Sequence, residues 1–150
     1  MKTSKEGLNL IKKHEGFRNH PYKCPAGIWT IGYGFTFYPC GTKVTMDDEP
    51  ITKSDADNML VQLVETFEDA VNNNVDTTLN QNQFDALVSF TFNLGEANLK
   101  SSTLLKKVNQ DSCDPSIEGE FKKWVYSNGE KLSGLKRRRN QEAWLYNKQN

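Results

Sequence analysis

The chain has 150 residues, 36% hydrophobic and 25% charged, and 19 basic against 19 acidic side chains give a formal net charge of zero. That length suits one domain, or two small lobes sharing a helix, and a globule of this size buries enough apolar surface to fold without staples. Zero net charge argues against a general nucleic-acid binder, and no apolar run of about 18 residues is present to cross a membrane; three cysteines (Cys24, Cys40, Cys113) without metal-site spacing argue against a disulfide framework and a zinc centre.

The N-terminus is amphipathic and mixed in charge, unlike a secretory signal, so retention in the cytoplasm is expected. Thr3-Ser4-Lys5-Glu6 fits a capping box, and Leu8, Leu10 and Ile11 supply an apolar stripe for a helix reaching about His14. From Pro21 to Thr45, prolines and glycines punctuate β-branched and aromatic residues, which predicts two or three short antiparallel strands. So small a sheet must pack on helices. Thr52-Lys53-Ser54-Asp55 is a second capping box, and Ala56, Met59, Leu60, Leu63, Val64, Phe67 and Val71 then recur at helical spacing. The pattern predicts one long connecting helix over about 53–73, between a β-rich lobe (about 15–50) and a helical lobe (about 80–150, with the N-terminal helix). Asn80 caps a helix that Gly95 stops, and Ser101 or Ser102 opens another. Asp114-Pro115 starts a helix leading to Phe121, Trp124 and Val125, and a last helix carries Leu135, Ala143, Trp144 and Leu145. The fold class is therefore α+β.

Charge is unevenly spread. Residues 46–76 hold nine acids against Lys53 alone, and residues 120–150 hold eight Lys/Arg against three Glu. Solvated helix faces account for this, as would a dipolar molecule that steers a charged polymer.

Glu15 is the acid that packing explains least, because it falls at a helix end just before the predicted hairpin. Facing a cleft there, it would be kept protonated by desolvation, as a general acid requires; the alternative is a helix-end acid paired with a Lys or Arg. His14 and His20 read as surface or hydrogen-bonded histidines, since no metal or nucleophile spacing accompanies them. Cys24 is open between a small buried hydrophobe and an exposed thiol with thiolate character. Thr30, on the strand Trp29-Thr30-Ile31, faces away from its neighbours, as an ordinary strand residue or to hold a water or sugar hydroxyl. The glycines of Gly32-Tyr33-Gly34 lack a phosphate-loop spacing. The run Lys136-Arg137-Arg138-Arg139 reads as a solvated face, or as a source of forked hydrogen bonds to a carboxylate.

Glu15-Gly16, Tyr22 and Thr30-Ile31-Gly32-Tyr33-Gly34-Phe35-Thr36 resemble the start of phage-type lysozymes, glycoside hydrolase family 24. The family pattern of a Glu, eight residues, an Asp or sometimes a Cys, five residues and a Thr is filled by Glu15, Cys24 and Thr30. The likeness continues in Asn80-Gln81-Asn82-Gln83-Phe84-Asp85-Ala86-Leu87-Val88-Ser89-Phe90, Phe92-Asn93-x-Gly95, Ser102-Thr103-Leu104-Leu105, Phe121-x-x-Trp124 and Gly134-Leu135-x-x-Arg138-Arg139-x-x-Glu142. It thus covers nearly the whole chain in order.

The resemblance implies a two-lobed lysozyme-like fold and hydrolysis of the β-1,4 bond after N-acetylmuramic acid in peptidoglycan. By position, Glu15 is the general acid, Thr30 helps place the attacking water, and Cys24 takes the seat in which most members hold Asp. A neutral thiol gives little help to a positively charged sugar, so Cys24 is expected to act as a thiolate or polarised thiol. Arg138 is an orienting partner for Glu15 or a structural salt bridge, and Tyr22, Gly32, Asn93 and Ser102 are candidates to line the sugar cleft. No cofactor or metal is implied. A monomeric endolysin that binds peptidoglycan, inserts into no membrane and leaves the host cytoplasm through a holin lesion is expected. The rival readings are a lytic transglycosylase, which closes an anhydromuramic ring, and a non-catalytic wall-binding module.

Overall fold

The computed structural model describes residues 1–149; Asn150, the last residue of the expected helical lobe, lies outside them. Among the described residues the elements are α1 (Lys5–Glu15), β1 (Arg18–Lys23), β2 (Trp29–Gly32), α2 (Lys53–Leu63), α3 (Glu65–Asn74), α4 (Gln81–Leu94), α5 (Glu96–Ser101), α6 (Thr103–Gln110), α7 (Ile117–Lys122), β3 (Tyr126–Ser127), β4 (Glu130–Lys131) and α8 (Ser133–Asn147).

α4 is the axis of the molecule. Its N-terminus is fixed by a capping box between Asn80 and Gln83, and Gly95, at φ 89°, ends it. Every residue from Asn82 to Thr91 is buried, so this helix is enclosed on all sides rather than amphipathic. α1, α3, α5 and α8 pack around it. Phe90 meets Phe121 and Trp124 edge-on, both with ring centroids 5.7 Å apart, in the T-shaped arrangement that ring quadrupoles favour.

α1 is tied to α4 through its cap. The capping residue is Ser4, whose hydroxyl accepts from the Gly7 N–H at 3.3 Å, and not the first residue of the Thr3 box. Buried Asp85 of α4 decides this, because its carboxylate accepts from the Ser4 backbone N–H at 3.0 Å and from the Ser4 hydroxyl. A methyl group on Gly7 would meet Asp85 Cγ at 2.7 Å, so the first turn of α1 has no room for a side chain there.

β1 and β2 form an antiparallel pair in the register Tyr22↔Thr30 and Lys23↔Trp29, with an irregularity between Arg18 and Tyr22. Pro21 falls within that irregular stretch, where a missing N–H does least harm. Isolated bridges Ile31↔Phe35 and Phe37↔Lys43 stand where a third strand was expected. The single connecting helix predicted over 53–73 is two helices that meet at Val64. Val64 keeps helical dihedrals, but Phe67 N bonds back three residues to the Val64 carbonyl, so one tightened turn breaks the pattern. The helix expected from Asp114-Pro115 begins only at Ile117, because the Asp114 carboxylate accepts from both N and Oγ of Ser116 and builds a turn instead. The small β3–β4 hairpin was not expected. Its turn, Asn128-Gly129, has φ of 51° and 81°, the two positive values that a tight two-residue hairpin demands.

Candidate active site

Glu15 is the final residue of α1, and Gly16, at φ 69°, turns the chain out of the helix toward β1. At that corner Arg138 Nη1 donates to Glu15 Oε1 at 2.7 Å, while the Glu15 side chain keeps 20% of its surface exposed. Of the two readings of Glu15, the geometry realises both the ion pair and the position at a cleft. Its second oxygen, Oε2, abuts Gly34: a Cβ built on Gly34, whose φ is 78°, would overlap it. Gly34 is therefore the point at which the 30–37 segment closes on the acid.

Arg138 is itself held from behind. Its Nε reaches Glu142 Oε2 at 3.2 Å, and its Nη2 donates to the Ser89 carbonyl at 3.2 Å. Ser89 Oγ donates to the same Glu142 oxygen at 2.5 Å. Arg139 Nε lies 3.0 Å from Glu142 Oε1, yet those groups are not aligned for a hydrogen bond, so this contact is Coulombic. Arg139 Nη2 donates to Asn93 Oδ1 at 2.6 Å. Burial pushes the Glu142 carboxyl up, and the Arg139 and Arg138 guanidiniums oppose it. Burial brings Arg139 down to about 10, which leaves it cationic at neutral pH. The result is a buried cluster of two arginines whose charge two carboxylates balance, with only Glu15 reaching solvent.

A cleft of about 630 Å³ opens in front of Glu15, lined among others by Lys13, Asn93, Leu132, Gly134, Arg137 and Arg138. Behind Gly34 a second groove of about 280 Å³ runs between Thr36 and Phe37 on one wall and Leu63, Phe67 and Phe92 on the other. Glu15 and Asn93 line the first cavity and their neighbours Gly34 and Phe92 line the second, so the acid stands close to both.

The hairpin brings Cys24 and Thr30 together. Cys24 opens the tight turn into β2, with its N–H on the Ile28 carbonyl and its own carbonyl accepting from Gly27 N. Hydrogen-bonding groups of the Ile28 backbone, then of the Ala26 backbone and the Thr30 hydroxyl, hold the Cys24 thiol below its usual range. Thr30 is buried, and its Oγ1 donates to the Ile28 carbonyl at 2.9 Å. Tyr22 pairs with Thr30 across the hairpin; burial pushes its hydroxyl up, opposed by Arg18, which lies 4.6 Å over its ring.

Two expected cleft residues are placed elsewhere. Ser102 is buried as the cap of α6: its hydroxyl donates to the Leu99 carbonyl at 2.6 Å and accepts from Leu105 N at 3.0 Å, so its proton is committed to the helix end and the group is shut off from a ligand. Gly32 is buried against Phe35, where a Cβ would come within 2.7 Å of the ring, and it serves packing. His14, as expected of a hydrogen-bonded histidine, pairs its Nε2 with Gln141 Oε1 at 2.8 Å, and His20 is exposed. Glu142 and Ser89 had been assigned no role. The spacing of Glu142, three and four residues after the arginines, was a legible pairing signal; nothing local marked Ser89. Among the described residues no group of three or more His, Cys, Asp or Glu is arranged to hold a metal.

The model of the family described as phage lysozyme matches residues 12–142. An endolysin of Bacillus phage B103 is 38% identical over 97% of this chain, which spans about half (54%) of that relative's length. The solved endolysin from Escherichia coli O157:H7 phage FAHEc1 superposes with a TM-score of 0.89 at 37% identity, covering 98% of this chain and 94% of the other. The muramidase domain of SpmX from Asticaccaulis excentricus does so at 0.85 and 37%, over 99% of each. With the α+β architecture and the Glu15 corner, these likenesses lead to one conclusion: the chain belongs to the phage lysozyme family.

Proposed function

We propose that the chain is a muramidase of the endolysin type, which hydrolyses the β-1,4 bond between N-acetylmuramic acid and N-acetylglucosamine in the host cell wall. The observation that carries this reading is the Glu15 carboxyl. A buried guanidinium holds one of its oxygens, and the other faces Gly34, with a cleft of about 630 Å³ lined by the acid itself.

With Oε1 engaged by Arg138, Oε2 is the oxygen that carries the proton to the leaving glycosidic oxygen. Positive charge then develops on the muramic ring, and a water attacks its anomeric carbon. Thr30 would help place that water. Cys24, near it on the hairpin and with its thiol held below the usual range, would act as a thiolate to offset the ring's charge or take the water's proton, the task that the resemblance gives to a carboxylate. General acid–base groups of this kind contribute roughly 10²–10⁴-fold in rate. Asn93 and Tyr22 border the path and complete the proposed site, together with Arg138 as the group that orients Glu15. Action as a monomer, with release to the wall through a holin lesion, belongs to the same proposal.

A cell-wall zymogram tests the assignment. Glu15→Gln is nearly the same size, keeps a hydrogen bond to Arg138 and cannot donate a proton as an acid; it should lose clearing while its melting temperature stays near that of the wild type. Clearing at the wild-type level would overturn the reading.

A further inference from the structure

Trp144 has 63% of its surface exposed, and it is the large apolar side chain that α8 leaves outward among Lys136, Arg137, Asn140 and Asn147. Around it lies a groove of about 380 Å³ between α1 and α8, within the range of pockets that hold small ligands. Leu10 and Leu145 give it an apolar lining, and Asn9 and Gln141 bring amides to it. Gln141 spends its carbonyl oxygen on His14, so its N–H₂ is the end left for a ligand. The groove and the Glu15 cleft share two walls, Lys13 and Gln141. On α8 the stripe Arg137, Gln141, Trp144 leads from one cavity to the other, and Trp144 stands about 9 Å along the axis from Arg138 at 1.5 Å per residue.

We propose that this groove is an accessory saccharide site, in which an N-acetylhexosamine unit of the wall polymer, outside the bond being cut, stacks on Trp144. An exposed indole with amides beside it matches a sugar, which presents an apolar C–H face and a rim of hydroxyl and acetamido groups. The groove's lining carries one acid, Glu6, and one base, Lys13, which leaves no net charge to select a charged occupant, and Glu6 is paired with Lys148 at 2.8 Å. Lys148 Nζ also lies 5.4 Å from the Trp144 ring and holds it in place. Such a site keeps the enzyme on an insoluble polymer between cuts, by raising the effective concentration of glycan at the cleft. The inference rests on the muramidase reading, since it takes the same polymer as ligand.

The test uses Glu15→Gln protein, which would bind glycan without cutting it. Its three indole N–H signals are followed by NMR as a soluble tetrasaccharide of alternating N-acetylglucosamine and N-acetylmuramic acid is added, with Trp144→Phe identifying the Trp144 signal. The Trp144 signal should shift on titration, and retention of Glu15→Gln on purified wall sacculi should fall about five-fold with Trp144→Ala and largely survive with Trp144→Phe. A Trp144 signal that stays still, or equal retention of the Trp144→Ala protein, overturns the accessory site even when wild-type protein cuts the wall. If wild-type protein releases no muropeptides at all, it is the muramidase reading that fails.

Discussion

Glu142→Gln removes one charge from the buried cluster behind Glu15 and leaves shape and volume nearly unchanged. Glu142 has no exposed surface; it accepts from Ser89 Oγ at 2.5 Å and from Arg138 Nε at 3.2 Å, and Arg139 Nε lies 3.0 Å from it as an ion pair. Arg138 retains Glu15 as a partner after the substitution, but Arg139, also fully buried, loses the carboxylate it is paired with at 3.0 Å. Breaking a buried pair so that one charge is left uncompensated costs roughly 3–5 kcal/mol. At roughly 2–4 °C per kcal/mol for a chain of this size, thermal unfolding followed by circular dichroism should show a melting temperature lower by roughly 6–20 °C. The control is Glu118→Gln, at the exposed Glu118–Lys122 pair, where the loss should stay within about 0.5 kcal/mol. If the two variants melted together, the cluster would not be what anchors Arg138, and the account of how Glu15 is held would be wrong.

Gly34→Ala places a methyl on Glu15 Oε2 and a side chain at a φ of 78°, so wall lysis should fall at least about 100-fold, since displacement of a reacting group by about 1 Å costs that much. Turbidity clearing checks it, and activity within a few-fold of wild type would show that Oε2 is not the working oxygen. Cys24→Ser should reduce lysis at least about 100-fold, the lower end of acid–base effects. Alkylation of the thiol should silence the wild type but not Cys24→Asp, whose exposed Cys40 and Cys113 still react; full activity of Cys24→Ser would make Cys24 a spectator. Glu120 is held below its ordinary value of 4.5, first by its hydrogen bond to Lys107 and then, against burial, by Lys123. A depressed folded-state value contributes stability that is complete above the unfolded value and is lost as pH falls through the folded one. Glu120→Gln should therefore melt below wild type at pH 7, with the gap closing as pH drops below about 4.5; a gap unchanged at pH 3 would refute the pairing.

Local chemistry wrote much of this fold into the sequence. The Thr52–Asp55 box, the cap at Asn80 and the stop at Gly95 depend on residues three or four apart and are found where the sequence placed them, and of Ser101 and Ser102 it is Ser102 that caps α6. Long-range partners were invisible. Ser4 rather than Thr3 caps α1 because of Asp85, eighty-one residues away. The Arg138–Glu15 contact spans 123 positions and was reachable only through family resemblance. The break at Val64 comes from one tightened turn that leaves the apolar pattern of the helix unaltered. Asn128-Gly129 is a hairpin signal in itself, but the two-residue strands that flank it carry almost no alternation to mark them as strands. At the site, Gly32 and Ser102 are set in a stretch whose motif resembles the family's, yet one serves packing and the other caps a helix.

The most direct measurement of the central claim is mass spectrometry of the fragments that the wild-type protein releases from purified peptidoglycan. Hydrolysis with Glu15 as the acid predicts muramic acid at the reducing ends, and no such fragments from Glu15→Gln. Anhydromuramic ends, formed when the sugar's own 6-hydroxyl displaces the bond, or fragments that persist with Glu15→Gln, would contradict it.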